Sequence, residues 1–283
     1  MRGKELLILS EIAQENLKKD SYSSKLKRGK TIYTRKGALQ FVKENGNNIK
    51  SLPLRLKNNT AVVLASIENN PSSFKYAGTK ARSKYGIARL AVEKEPENIE
   101  KIGYELKINK EKFRELAKLA LSKNGMLLKN LPEFQNDDEM VNIAVTNNSL
   151  SLEFANKRFK KDPEFIYNHA IERSFTLLNA DKELLKNKNF IKKIVSENPV
   201  ALHSLPMYQN DIDIVETAIL AMPSSLRFAG FECRNNKIIK DFVNKHNLKE
   251  AEPYLLNDEK LEKVSKFKKI QRKYHGDDEI EKI

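Results

Sequence analysis

An all-α fold, an α-solenoid of about eight or nine stacked helical hairpins, is what this sequence predicts, and three observations predict it. A small or turn-forming residue recurs at Gly46, Pro71, Pro96, Gly125, Ser149, Phe175, Pro199, Pro223 and Asn247, at spacings of 25, 25, 29, 24, 26, 24, 24 and 24 residues. Four residues before each stands an aliphatic side chain: Val42, Ile67, Val92, Leu121, Val145, Ile171, Val195, Ile219 and Val243. Eight before stand Ala38, Val63, Ala88, Ala117, Val141, Tyr167, Ile191, Val215 and Ile239, so the two columns share one helix face.

These columns define helix A of each repeat, and Thr34, Asn59, Ser83, Asn109, Asp137, Asp162, Asn187, Asp211 and Asn235 are its expected N-caps. A small residue five before the anchor (Ala91, Ala120, Ala144, Ala170, Ala218) lets neighbouring helices approach closely. After the anchor, apolar residues at +3 (Ile49, Phe74, Ile99, Leu128, Leu152, Leu178, Leu202, Leu226) and at +6, with Asp181 as the one break, predict a shorter helix B. Pairs such as Asn70-Pro71 and Asn198-Pro199 open it, since proline is tolerated in a first helical turn. The 29-residue spacing exceeds its neighbours by about one helical turn, so helix A after Asn109 is expected to be a turn longer with the register intact.

The repeat array runs over residues 34–250. Residues 1–33 read as an N-terminal helix over 4–19 followed by a basic linker. Residues 251–283 read as a capping helix, with Asn257 as its cap and Leu261, Val264, Phe267 and Ile270 inward, ending in an acidic tail at Gly276-Asp277-Asp278-Glu279.

Composition narrows the chemistry. The net charge is +14. Residues 1–57 carry 14 basic and 5 acidic side chains, so most of the excess sits at one end and steers acidic partners there. A single cysteine, Cys233, leaves no disulfide framework or multi-cysteine metal site, and suits a reducing, cytoplasmic setting. The apolar run Leu6-Leu7-Ile8-Leu9 is too short for a signal-peptide core, and no stretch is long enough to span a bilayer, so no membrane role is expected.

Asp137-Asp138-Glu139-Met140-Val141-Asn142-Ile143-Ala144-Val145-Thr146-Asn147-Asn148-Ser149, continuing through Leu152 to Ala155, resembles the tandem short helical repeats of a bacterial and viral family of domains of unknown function. Asp211-Ile212-Asp213-Ile214-Val215-Glu216-Thr217-Ala218-Ile219, continuing through Leu226 to Ala229, is similar. The resemblance covers about residues 34–247, with Gly37-Ala38 and Glu93-Lys94-Glu95-Pro96 departing from the pattern, and implies helical repeats with a recognition role and no catalytic residues to transfer.

No residue set argues for catalysis, a cofactor or a metal. Arg28-Gly29-Lys30-Thr31 mimics the end of a phosphate-binding loop, but Ser24 stands where that loop needs glycine and no strand precedes it. His169, His203, His246 and His275 are too far apart for any two to share a helix face. Cys233 and His246 lack an orienting third group, and Asp211 with Asp213 sits where a helix start favours acids.

Two basic tracks remain. Lys25, Lys27, Arg28, Lys30, Arg35 and Lys36, interleaved with Tyr22 and Tyr33, suit phosphates and stacked bases, or form a solvated arm. On helix A, seven before the anchor, stand Arg89, Lys118, Asn142, Asn168, Lys192, Glu216 and Lys240; Glu216 and the lack of a neighbouring aromatic column argue against a one-base-per-repeat code. The expected function is non-enzymatic binding of a macromolecule, foremost a protein with an acidic patch, with sequence-independent nucleic-acid binding as the alternative.

Overall fold

A computed structural model of the chain describes residues 34–256. The expected helix over 4–19, the basic residues Lys25, Lys27, Arg28 and Lys30, and the expected C-terminal helix and tail lie outside the described residues. By its contacts the chain divides into two compact units, one ending at Phe154 and one beginning at Ala155, each built from the same helical repeat.

The helix-A segments among the described residues are α1 Arg35–Glu44, α2 Thr60–Asn69, α3 Tyr85–Lys94, α4 Lys110–Lys123 and α5 Asp138–Asn147 in the first unit. In the second they are α6 Pro163–Ala170, α7 Lys188–Glu197, α8 Ile212–Ala221 and α9 Lys237–Lys245. As the 29-residue spacing predicts, α4 is 14 residues long where its neighbours α3 and α5 have 10. Caps fall largely where expected: Asn59 Oδ1 accepts from Val62 N at 3.2 Å and Asp137 Oδ1 from Met140 N at 3.0 Å. Two are displaced by one residue. Lys84 rather than Ser83 precedes α3 and gives no side-chain cap, and Asn236 rather than Asn235 caps α9, accepting from Ile238 N at 2.8 Å.

The two apolar columns form the core of each unit: Val42, Ile67, Val92, Leu121, Val195, Ile219 and Val243 are fully buried, each contributing about 1.5–3 kcal/mol. The sixth repeat corrects the register read from sequence. Its buried helix-A residues are Ile166 and Ala170, while Tyr167 and Ile171 are half-buried, so the anchor is Ser174 and not Phe175. Ala170 does the packing that an aliphatic residue does elsewhere, and the aliphatic Ile171 beside it draws the pattern one position too far. With Ser174 as anchor, Leu177 fills the core and Leu178 is exposed. The apparent break at Asp181 disappears too, since position +6 is Ala180 and Asp181 caps the next turn by accepting from Glu183 N at 3.0 Å.

Helix B is not an α-helix. From each of the first eight anchors run six residues of 3-10 helix, as in Gly46–Ser51, Pro71–Tyr76, Gly125–Asn130 and Ser174–Asn179, followed by a separate short turn: Leu54–Lys57, Thr79–Arg82 and Tyr104–Lys107 in the first three repeats. The apolar spacing of 3 and then 3 is itself the reason, because a 3-10 helix has three residues per turn and stacks the anchor, +3 and +6 on one edge. Asparagine before the anchor starts it: Asn70 Oδ1 accepts from Ser72 N at 3.1 Å and Asn124 Oδ1 from Met126 N at 3.2 Å.

A backbone ladder joins successive short turns. Gly78 N donates to Lys57 O and Gly103 N to Arg82 O, both at 2.9 Å; in the second unit Gly230 N donates to Gln209 O at 2.7 Å. The approach needs glycine at Gly78 and Gly230, where a Cβ would run into the side chains of Asn58 and Asn210. The array's ninth helix ends in a left-handed cap: Asn247 has φ 52°, Leu248 N donates to Val243 O and Asn247 N to Asn244 O.

Candidate docking surface

Of the sequence-stated basic tracks, the described part of the first is Arg35 and Lys36, which open α1 half-buried and exposed respectively. The helix-A track is brought mostly into contacts within each unit. Lys118 Nζ pairs with Glu139, Lys192 Nζ approaches Asp213 at 3.8 Å, and Lys240 Nζ donates to Asn235 Oδ1 at 3.1 Å. Arg89 lines a shallow groove with Tyr85, Glu115, Leu116, Lys118 and Leu119, where Tyr85 Oη donates to Glu115 at 2.6 Å.

Sequence reasoning missed that these cations belong to a recurring clamp. Eleven and seven residues before the anchor stand Arg114 and Lys118 on α4, and Lys188 and Lys192 on α7. They grip two acids in the first turn of the next helix A: Arg114 binds Asp137 and also Glu139 at 2.7 Å, and Lys188 binds Asp211 at 2.9 Å and Asp213 at 2.7 Å. Charge follows geometry. The hydrogen bonds from Arg114 hold Asp137 below the usual carboxylate range, those from Lys118 and then Arg114 do the same to Glu139, and Asp213 then Asp211 push Lys188 up. The acidic pair Asp211 and Asp213, read from sequence as favoured by a helix start, therefore also joins neighbouring repeats, as do Asp137 and Glu139.

The uncompensated charge lies elsewhere, on the ladder of short turns. In residues 54–60, 79–85 and 104–110, Arg55, Lys57, Lys80, Arg82, Lys84, Lys107 and Lys110 stand against the single acid Glu105. In the matching stretches of the sixth to eighth repeats, 182–188, 207–213 and 231–237, five basic residues meet four acidic ones. Among the described residues none of those seven cations forms an ion pair; Arg82 donates to the Lys101 and Ala77 carbonyls at 2.6 and 3.1 Å and Lys84 to Thr60 Oγ1 at 2.8 Å.

Apolar side chains emerge on the same edge. Tyr104 is 71% exposed, Leu54 67% and Ile108 59%. Leu54 and Tyr104 occupy the same place, eight residues after the anchor, in the first and third repeats. More widely, Leu150, Phe175, Leu178, Val200, Met207 and Phe231 are exposed on 3-10 helices and short turns, whereas helix A exposes only Leu220 and Ile238 among the large apolar residues described.

The residues considered for chemistry are placed as packing. Cys233 is buried, and burial pushes its thiol up to about 11, far from a nucleophile's range. His169 packs its ring 4.6 Å from Phe165, and burial lowers its basicity. Among the described residues no group of three His, Cys, Asp or Glu is placed to hold a metal ion, and no helix is long and apolar enough to cross a membrane.

A family model described as a domain of unknown function (DUF4116) matches residues 35–80, 114–160 and 187–234. Each match opens within or beside a helix A and covers two repeats, and the three contain Leu52-Pro53, Leu131-Pro132 and Leu205-Pro206, a pair that recurs every third repeat. No curated protein and no solved structure matches the chain.

Proposed function

We propose that this chain, which carries three tandem copies of the domain of unknown function DUF4116, is a non-enzymatic helical-repeat protein that binds a protein partner along the side formed by its 3-10 helices and short turns. The observation that carries this reading is the unequal exposure of apolar side chains. Among the described residues helix A keeps its large apolar side chains inside except Leu220 and Ile238, while the 3-10 helices and short turns display Leu54 and Tyr104 in the first unit and Phe175, Leu178, Met207 and Phe231 in the second. Exposed apolar side chains beside charge are what a protein interface offers before it is covered.

The helix-A cations fit this reading less well as contacts, because Lys118 and Lys192 face acids of the next repeat. A cytoplasmic setting belongs to the same proposal, with the one buried thiol, Cys233, needing no oxidising compartment.

The test is amide hydrogen exchange on the full chain with protein retained after nuclease treatment and a high-salt wash. Protection of the 3-10 helices and short turns, with α2, α4 and α8 unchanged, supports the reading. Nuclease release of all bound material, together with steeply salt-dependent binding to any labelled oligonucleotide, moves the assignment to nucleic acid.

A further inference from the structure

Within that protein-binding reading, on which this step rests, we infer that the edge formed by the short turns of the first three repeats takes an extended acidic protein segment carrying two apolar side chains. Three features of the edge define the occupant.

The charge is one-sided. Seven cations face one acid, and none is neutralised by another described residue, unlike Arg114, Lys118 and Lys188 on the helix-A side. Such a strip repels basic segments and attracts acidic ones at a cost in salt sensitivity.

The apolar anchors are spaced. Leu54 and Tyr104 sit at equivalent positions two repeats apart, with the small polar Thr79 between them and Ile108 one turn beyond Tyr104. The ladder bonds Gly78 N to Lys57 O and Gly103 N to Arg82 O fix the three turns side by side. Packed helices lie about 8–10 Å apart, which puts the anchors about 16–20 Å apart. An extended chain advances about 3.3–3.6 Å per residue, so five or six residues span that distance.

The anchor chemistry selects protein over nucleic acid. Of the three exposed apolar side chains only Tyr104 offers a base an aromatic face, whereas Leu54 and Ile108 are aliphatic and give a strand no run of stacking surfaces. An apolar side chain on the partner gains from covering them.

The experiment measures fluorescence anisotropy of labelled probes with the full chain. One probe is a peptide with two leucines separated by five Asp/Glu residues. A second has the same composition with the leucines adjacent, and a third is a 15-nucleotide oligo-dT. The spaced peptide is expected to bind most tightly, to weaken at high salt, and to lose about tenfold or more in affinity on Leu54→Ser with Tyr104→Ser or on Arg55→Glu with Lys80→Glu. These side chains are exposed, so thermal unfolding of the variants should match the parent; Leu220→Ser with Ile238→Ser, exposed on helix A away from the short turns, should leave binding unchanged.

Equal binding of both peptides would reduce the edge to bulk charge and overturn the inference. Tighter binding of oligo-dT that is lost with the same substitutions would reassign the edge to nucleic acid. Self-association by light scattering that disappears with Leu54→Ser and Tyr104→Ser would make a second copy the occupant. Peptide binding that survives those substitutions and is lost with Phe175→Ser and Leu178→Ser would overturn the inference and leave protein binding standing at another site; binding of neither peptide would overturn the inference, with the exchange experiment deciding the protein-binding reading.

Discussion

Asn147 reaches back across a repeat boundary to Gly125: its Oδ1 accepts the Gly125 N–H at 2.7 Å, and its Nδ2 donates to the Ser122 carbonyl at 3.0 Å. Asn69 does the same to Gly46, accepting at 2.6 Å and donating to Lys43 O at 2.9 Å. The third DUF4116 copy has Pro199 at the anchor and Ala221 where the asparagine would stand. Proline has no N–H to offer, so the latch has lost its donor and its acceptor together.

Asn147→Ala leaves the Gly125 N–H in a partly buried place without a partner, and the expected loss is about 1–3 kcal/mol in urea unfolding. Ala221→Asn should gain less than Asn147→Ala loses, because Pro199 gives the new carboxamide no N–H to accept and only the donor half of the latch is left. Gly125→Ala should be worse than Asn147→Ala, since its Cβ would run into the Ala144 carbonyl. A gain from Ala221→Asn as large as the loss from Asn147→Ala would show that the asparagine acts through something other than this bond.

The Arg114–Asp137 clamp predicts a particular acid limb. Arg114 depresses the Asp137 carboxyl, so its contribution is fully present above the unfolded value of about 4 and fades as pH falls through the lower folded value. Asp137→Asn retains a cap for the Met140 N–H but loses the charge. Stability near neutral pH should fall by less than about 1 kcal/mol, as both side chains are partly exposed. The difference from the parent should shrink in 1 M salt and vanish once pH has fallen through the lowered folded value. A difference that persists at low pH would assign the loss to capping rather than to the ion pair.

Legibility in the sequence followed the chemistry of each column. Val42, Ile67 and Val243 each stand four residues after another apolar side chain, Ala38, Val63 and Ile239, and that helical spacing returns in every repeat, so helix A and its longer fourth copy were readable. Ser174 was not, because Ala170 packs without looking aliphatic and Ile171 beside it does. The 3-10 helix was present in the +3 and +6 spacing, but a period of three was read as part of an α-helical face. The edge bearing Leu54 and Tyr104 was hidden for a different reason. Its charge is ordinary residue by residue and becomes one-sided only when Arg55, Lys80 and Lys107, about 25 residues apart, are brought together by the glycine ladder. The helix-A cations were visible, whereas their acids on the next repeat are three-dimensional neighbours that spacing alone did not pair.

Val145→Asp tests the core directly. Val145 is 1% exposed on the inner face of α5, and a carboxylate there has no partner. The loss should exceed about 4 kcal/mol and abolish the cooperative thermal transition of the first unit. Thr146→Asp, one residue on and exposed, should leave the transition within about 0.5 kcal/mol of the parent. Matching thermal curves for Val145→Asp and the parent would mean that the inner column is assigned to the wrong face.

A second buried column carries the reverse expectation. Two residues after the anchor stand Ser73, Ser151, Thr176 and Ser225, all fully buried, and none of their hydroxyls has a hydrogen-bond partner among the described residues. In the first and third repeats the same position is Asn48 or Asn98, whose longer side chains reach the last turn of helix A and donate to Phe41 O at 2.8 Å and Ala91 O at 3.0 Å. Serine is too short for that bond, so its hydroxyl is desolvated without return. Ser73→Ala and Ser151→Ala are therefore expected to leave stability unchanged or raise it by up to about 1 kcal/mol, whereas Asn98→Ala, which abandons a made bond, should lower it by about 1 kcal/mol or more. Urea midpoints of the three variants decide it. A loss on Ser151→Ala equal to that on Asn98→Ala would mean that the serine hydroxyls hold the 3-10 helices as the asparagines do.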